Sequence, residues 1–198
     1  MRTIRKSFVA LFVCLIALPV FAQKNELSLA AGGYFPVSSV FGAGDAFALE
    51  GTFAHRLASV PFISLYGELP VVGSFRSHLP TNFFTPASYS AFFLTPGLKV
   101  KIAPSFPISP WLAVGGGWAR FSKNASLASV TGSDVTNTWA FDIGGGLDVK
   151  IAPFVSARGE VRDFYTGNPF TSNPLLNLVP IVGNQNNVVA TVGLVFRF

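Results

Sequence analysis

The chain has 198 residues, enough for one domain, and half of them are hydrophobic while only 12% are charged. The charged fraction is about half of the ~25% typical of soluble domains, which disfavours an ordinary soluble enzyme. The net charge of +5 does not indicate a nucleic-acid partner, because three of the basic residues, Arg2, Arg5 and Lys6, lie within the first six positions.

The first 22 residues have the pattern of a secretory signal peptide. The three basic residues precede an apolar run over residues 8–20, and the stretch "VFA" ends at the small residue Ala22, as a cleavage site requires. A transmembrane anchor is the weaker interpretation, because this run is short for a membrane span. We therefore expect a signal peptide over 1–22 and a mature domain over 23–198. The lone cysteine, Cys14, lies in the signal, so the mature domain has no disulfide or thiolate metal site.

The mature sequence is hydrophobic enough for a membrane protein but is unsuited to membrane-spanning helices. Its long uncharged stretch over 102–119 contains Pro104, Pro107, Pro110 and a glycine triplet, all of which disfavour a helix. In lipid, the remaining structure that satisfies every backbone hydrogen-bonding group is a closed β-barrel. The composition therefore predicts a barrel.

A six-residue repeat supports this prediction. "GLKVKI" at 97–102 returns as "GLDVKI" at 146–151, as "GLVFRF" at 193–198 and, in a degenerate form, as "TFAHRL" at 52–57. Successive side chains of a strand point to opposite faces, so each copy places its basic residue on the face opposite its apolar residues. The four basic residues are Arg56, Lys101, Lys150 and Arg197.

Eight strands and their connections follow in chain order. The predicted strands are 27–35, 46–57, 62–73, 88–103, 111–122, 137–151, 154–165 and 187–198. Short turns alternate with long polar loops over 36–45, 74–87, 123–136 and 166–186. This alternation is typical of an all-β, eight-stranded antiparallel up-and-down transmembrane barrel, with both termini at the short-turn, periplasmic end and the long loops outside.

Charges of both signs fall on the predicted inner face. In the sixth strand Asp142, Asp148 and Lys150 alternate with apolar residues that would face lipid, whereas glycines at 115–117 hide the faces of the fifth strand. An eight-stranded barrel is just wide enough inside for side chains, so these charges should pair and fill it. The predicted lumen charge network comprises Glu50, Glu68, Lys99, Lys101, Asp142, Asp148, Lys150, Arg158, Glu160 and Arg162.

The last strand carries a further pattern, with Leu194, Phe196 and the final Phe198 on one face. In this pattern the chain resembles the small outer-membrane β-barrels of the OmpA/OmpX type. The resemblance implies a monomer in the cell outer membrane, surrounded by lipid and lipopolysaccharide and delivered by periplasmic chaperones. It also implies that Leu194, Phe196 and Phe198 form a signal for the barrel-assembly machinery.

Little in the sequence points to catalysis. His55 faces outward near the periplasmic end, and His78 lies in a predicted loop close to Ser77 and Ser74. Neither histidine has the neighbours of a metal site, and we expect no cofactor and no enzymatic activity. The favoured function is a structural or surface-interaction barrel. The alternatives are a lipid-modifying enzyme resembling a lipid A deacylase, and a secreted lipocalin-like barrel that binds an apolar ligand.

Overall fold

The computed structural model describes residues 24–36, 45–78, 87–127, 130–166 and 185–198, so the predicted signal peptide lies outside the described residues. These ranges contain nine β-strands: β1 (Asn25–Pro36), β2 (Ala46–Val60), β3 (Ile63–His78), β4 (Ala87–Leu94), β5 (Gly97–Ile102), β6 (Ile108–Leu127), β7 (Val130–Ala152), β8 (Val155–Thr166) and β9 (Gln185–Arg197). None of the described segments forms a helix with the length and hydrophobicity needed to cross a bilayer.

The described strands close into an antiparallel barrel. Consecutive strands pair with each other except β4 and β5, and β1 pairs with β9 from Glu26 opposite Arg197 to Pro36 opposite Asn187. β4 and β5 both pair with β3 on one side and β6 on the other, so together they form one barrel strand. Counted in this way, the described part of the chain forms eight barrel strands, which confirms the predicted fold.

The fourth barrel strand is interrupted at Thr95 and Pro96. Proline has no N–H to donate to a neighbouring strand, so regular pairing stops there. The gap is bridged by two other backbone hydrogen bonds: the Thr95 N–H donates to the Pro70 carbonyl at 3.4 Å, and the Gly116 N–H donates to the Pro96 carbonyl at 3.1 Å. The wall of the barrel therefore continues past the interruption.

The two ends of the barrel differ. Residues 61–62, 103–107 and 153–154 make short connections at one end, where β1 begins and β9 ends, and we call this the short-turn end. The opposite end is the long-loop end. The predicted loop over 123–136 is wrong, because β6 and β7 stay paired as far as Leu127 opposite Val130. Its polar residues hid the strand, since a strand beyond the lipid needs no apolar face.

Burial alternates along the strands as the sequence pattern predicts. Ile143 and Leu147 of β7 are half-exposed on the outer face, whereas Asp142 and Asp148 are buried inside. β6 also alternates, with Trp111, Ala113 and Phe121 buried inside and Leu112, Val114 and Trp118 exposed outside, which settles the face that glycines 115–117 concealed. The outer face is thus apolar around a lumen that holds polar and aromatic groups.

Candidate functional site

The lumen is the candidate functional site, and its contents are arranged in layers. Along β8, from the short-turn end to the long-loop end, the buried inward residues are Arg158, Glu160, Arg162 and Phe164. Ion pairs therefore occupy the part of the lumen nearer the short turns. Aromatic rings occupy the part nearer the long loops.

Arg162 is the centre of what we call the upper ion cluster, which also contains Glu50, Glu68, Asp142 and Glu160. Its side chain is fully buried. Its Nη1 donates to Asp142 Oδ2 at 2.8 Å, its Nη2 to Glu68 Oε1 at 2.8 Å and its Nε to Glu50 Oε1 at 3.1 Å. Glu160 Oε2 lies 3.6 Å from the same Nε. One planar guanidinium thus holds four carboxylates that come from four different strands.

A second group, the lower ion cluster, surrounds Glu26 and Asp148 nearer the short-turn end. Arg158 donates to both oxygens of Asp148, from Nε at 2.7 Å and from Nη2 at 3.0 Å. Lys101 contacts both carboxylates and lies 2.6 Å from Asp148 Oδ2. Glu26 also accepts from Lys99 at 3.1 Å and from Arg158 at 3.4 Å. Arg197 completes this cluster, 3.4 Å from Glu26 and 3.6 Å from Asp148.

Lys99 and Trp111 connect the two ion clusters. Lys99 Nζ lies 3.4 Å from Glu68 of the upper cluster as well as 3.1 Å from Glu26 of the lower one. The buried Trp111 ring lies between the cations, with Arg158 at 4.9 Å, Arg162 at 5.4 Å and Lys99 at 5.6 Å from its centroid. These distances suit cation–π attraction, which strengthens when the cation is desolvated.

An aromatic layer of Tyr34, Phe93, Phe121 and Phe164 fills the lumen toward the long-loop end. Phe93 stacks on Phe164 with centroids 4.4 Å apart and meets Phe121 edge-on at 5.9 Å. The Tyr34 hydroxyl donates to Asn187 Oδ1 at 2.5 Å, and Asn187 Nδ2 donates to the Phe164 carbonyl at 3.0 Å. All four rings are buried, so this layer is a small hydrophobic core inside the barrel.

Comparison with known proteins identifies the architecture. No family model and no curated protein matches the chain. Neisserial surface protein A, a solved structure, matches with a TM-score of 0.58 at 13% identity, over 88% of this chain and 97% of that one. A major outer-membrane protein from Thermus thermophilus matches with a TM-score of 0.57 at 14% identity, over 88% and 99%. The chain has the outer-membrane β-barrel fold.

Other structures of this fold differ in what they do. The attachment invasion locus protein Ail of Yersinia pestis matches with a TM-score of 0.54 at 12% identity, over 88% of this chain and 99% of Ail. The outer-membrane enzyme PagL matches with a TM-score of 0.51 at 14% identity, over 88% and 99%. An attachment and invasion protein and an enzyme thus share the outer-membrane barrel fold, and at these identities the likeness establishes the fold alone.

Within this outer-membrane barrel, most of the lumen residues predicted from the sequence lie in the two ion clusters. Lys150 lies apart from them. It is exposed beside a bulge near the short-turn end, and no carboxylate of the described chain lies within 4.0 Å of its side chain. Sequence reasoning missed Glu26, because it began the first strand at Leu27. It also did not predict that Arg197 belongs to the lower ion cluster, although the repeat placed Arg197 on the inner face.

Gly146 faces the lumen but has no room for a side chain. A Cβ there would lie 2.8 Å from Cζ2 of Trp111 and 2.5 Å from the Gly159 carbonyl oxygen. The inward face is therefore not uniformly tolerant of larger residues. Trp111 occupies the space that the missing side chain leaves.

The histidines stand apart from the ion clusters. His55 is exposed on the outer face near the short-turn end, with Nδ1 2.8 Å from Asn25 Oδ1. His78 is the last paired residue of β3, opposite Ser88 of β4, and does not belong to a loop. In the ranges that the structure describes, no three His, Cys, Asp or Glu residues are grouped to hold a metal ion.

Proposed function

We propose that this protein is a bacterial outer-membrane barrel with a closed lumen, which acts as a structural or surface-interaction protein and not as a pore. The observation that carries the proposal is the occupation of the lumen at successive levels by the lower ion cluster, the upper ion cluster and the aromatic layer.

Closure follows from the energetics of these layers. Opening a water-filled path would separate buried ion pairs, and removing one partner of such a pair typically costs about 3–5 kcal/mol. The path would also have to pass the stacked rings of Phe93 and Phe164, which are fully buried. An eight-stranded barrel has little spare internal width in which these groups could move aside.

The surface role is supported by the difference between the two ends. In outer-membrane barrels the short turns face the periplasm and the long loops face outward, and specificity is commonly carried by loops on a rigid scaffold. We assign the connections over 37–44, 79–86 and 167–184 to the outside. Outer-membrane lipid and lipopolysaccharide would then surround the apolar outer face. Leu194, Phe196 and Phe198 expose their side chains on that face, which supports a role as a signal for the assembly machinery.

Two alternatives are less well supported. For a lipid-modifying enzyme, the likeness to PagL is one of fold, and His55 is at the short-turn end, away from the outer leaflet. A lipocalin-like barrel needs an apolar lumen with room for a ligand and a polar outer face. In this barrel Ile143 and Leu147 lie outside while Arg158 and Arg162 lie inside, which is the reverse arrangement.

Conductance in a planar bilayer tests the closed lumen. We expect no large, stable single-channel steps from the refolded protein. A matched pair of variants sharpens the result: Phe93→Ala with Phe164→Ala thins the aromatic layer, while Val161→Ala changes an outward residue of the same wall. Large, stable steps from the unaltered protein or from Val161→Ala would contradict a closed lumen. Added current noise in the double variant alone would show that the aromatic layer is the barrier to ions.

Labelling of intact cells tests the orientation separately. Because the predicted mature domain has no cysteine, a single introduced thiol can be followed without background. A membrane-impermeant maleimide should label Ser172→Cys, in the connection 167–184, and should not label Ser105→Cys, in the short connection 103–107. Labelling of Ser105→Cys but not of Ser172→Cys would show that the barrel has the opposite orientation in the membrane.

A further inference from the structure

The four basic residues of the sequence repeat meet at one place. Arg56, Lys101, Lys150 and Arg197 line a single cavity of about 440 Å³ at the short-turn end. They come from β2, β5, β7 and β9, so the repeat builds this cavity from alternate strands of the barrel. A volume of this size falls within the range of about 300–1,000 Å³ that is common for small-molecule sites. We call this cavity the basic mouth.

The basic mouth carries more positive charge than its neighbours neutralise. Lys101 and Arg197 contact Glu26 and Asp148, but these two carboxylates also contact Arg158. The other two cations of the basic mouth, Arg56 and Lys150, are not neutralised in this way. Among the residues that the structure describes, no carboxylate lies within 4.0 Å of Arg56 or Lys150, and none lines the cavity.

The upper ion cluster has a surplus of carboxyl groups, since four of them surround Arg162 and only Glu68 among them also contacts Lys99. Basic groups are therefore concentrated toward the basic mouth. A low-dielectric wall focuses their field into the opening, and an anion that enters is drawn toward the uncompensated cations.

The donors at the basic mouth suit a tetrahedral oxyanion. Arg56 offers a planar group of N–H donors, and the exposed ammonium of Lys150 offers a mobile one. Ser59 and Ser105 also line the cavity, and the Ser59 hydroxyl lies 2.8 Å from that of Ser64. Arginine, lysine and hydroxyl donors together make the charge-assisted hydrogen bonds by which proteins hold phosphoryl groups.

We propose that the basic mouth binds a phosphoryl oxyanion, held chiefly by Arg56 and Lys150. The group can be supplied by free phosphate or by the headgroup of an anionic phospholipid at the rim of the barrel. This inference does not depend on the closed lumen or on which end faces outward, because the cavity, its charges and its donors belong to the short-turn end itself.

Calorimetric titration of the refolded full chain in maltoside micelles, which contain no phosphate, tests the proposal. One arm uses inorganic phosphate and the other uses short-chain phosphatidylglycerol, with chloride held constant. The mouth variant combines Arg56→Gln with Lys150→Gln. The control combines Arg120→Gln with Lys123→Gln, which removes two charges from β6 near the long-loop end.

Saturable binding is expected in at least one arm, and the mouth variant should bind about tenfold more weakly or worse, since charge-assisted hydrogen bonds are lost. The control should keep the unaltered affinity. Binding of inorganic phosphate identifies a free anion as sufficient, whereas binding of the lipid alone identifies a headgroup. Absence of saturation in both arms, or equal affinities of the mouth variant and the unaltered protein, overturns the proposal.

A second measurement uses only the unaltered protein, so it tests the proposal even if the variants do not fold. Amide NMR shifts of the ¹⁵N-labelled protein on addition of the ligand that binds should concentrate at residues 56–61, 103–107 and 150–154. Shifts that concentrate at the long-loop end would place the anion elsewhere and refute the basic mouth as its site.

Discussion

Replacing Arg162 with methionine should destabilise the barrel more than any other single loss of charge in the lumen. Methionine keeps the unbranched apolar stem of the side chain but leaves Glu50, Asp142 and Glu160 without their cation, while Glu68 retains Lys99 at 3.4 Å. Breaking one buried pair costs about 3–5 kcal/mol, and here three carboxylates lose their partner at once. With a urea dependence of about 1–3 kcal/mol per M, the cost of one pair already corresponds to a fall of roughly 2 M in the unfolding midpoint, which is the minimum expected.

Urea titration of barrels refolded in lipid vesicles, followed by tryptophan fluorescence and by heat-modifiable gel mobility, measures this loss. Arg120→Met is the matched control, because Arg120 is exposed on the outer wall and no carboxylate of the described residues pairs with it. We expect that control to change the free energy of unfolding by less than about 1 kcal/mol. In the Arg162→Met background, Asp142→Asn should cost less than it does in the unaltered protein. A loss below about 1 kcal/mol for Arg162→Met would refute the central role of Arg162.

Three further changes test other parts of the structure. Leu147→Arg, within the apolar outer run of β7 and opposite Gly159 and Pro110, should lower the free energy of unfolding in lipid by about 2–4 kcal/mol, whereas Ile151→Arg on the same face near the short turns should lower it by about 0–1 kcal/mol. Equal losses in vesicle refolding would mean that the assigned membrane boundaries are wrong. Phe198→Ala removes only the ring and keeps the backbone hydrogen bonds of Phe198 with Asn25, at 2.9 and 3.1 Å. If Phe198 is part of an assembly signal, outer-membrane fractions of expressing cells should contain fewer folded barrels of this variant. Unchanged levels would count against the signal. Ala103 has a φ of 50°, so Ala103→Gly should raise stability against urea by up to about 1 kcal/mol, and a decrease would show that the turn is unstrained.

The fold was readable from the sequence because lipid imposes a strict rule on each strand. An apolar residue at every second position, with most charges at the other positions, identifies the two faces; Arg120 of β6 and Asp163 of β8 are exceptions on the outer face. In β7, Asp142 and Asp148 carry that signal, and in β8 Arg158 and Arg162 carry it. The short turns were equally clear, since proline follows closely after two copies of the repeat.

The aromatic layer was not readable in the same way. Phenylalanine suits both the lipid-facing wall and a packed interior, so residue type alone did not reveal that Phe93, Phe121 and Phe164 form a core, although the alternation with Arg162 places Phe164 on the inner face. Glycines 115–117 removed the alternation that would have placed Trp111. Glu26 was not predicted for a different reason: the start of a strand is uncertain by one or two residues, and the predicted first strand began at Leu27. Partner choice within the ion clusters depends on the stagger of strands, which no local pattern records.

The seam between β1 and β9 makes neutralisation of the lumen depend on the order of assembly. Glu26 enters with the first strand, while its partners come from later ones, and Arg197 is 171 positions further along the chain. A sheet with an open seam therefore leaves Lys99, Lys101 and Arg158 without the carboxylate of Glu26. Half-inserted sheets should be short-lived intermediates for this reason, and the kinetic barrier to insertion should lie at the meeting of the first and last strands.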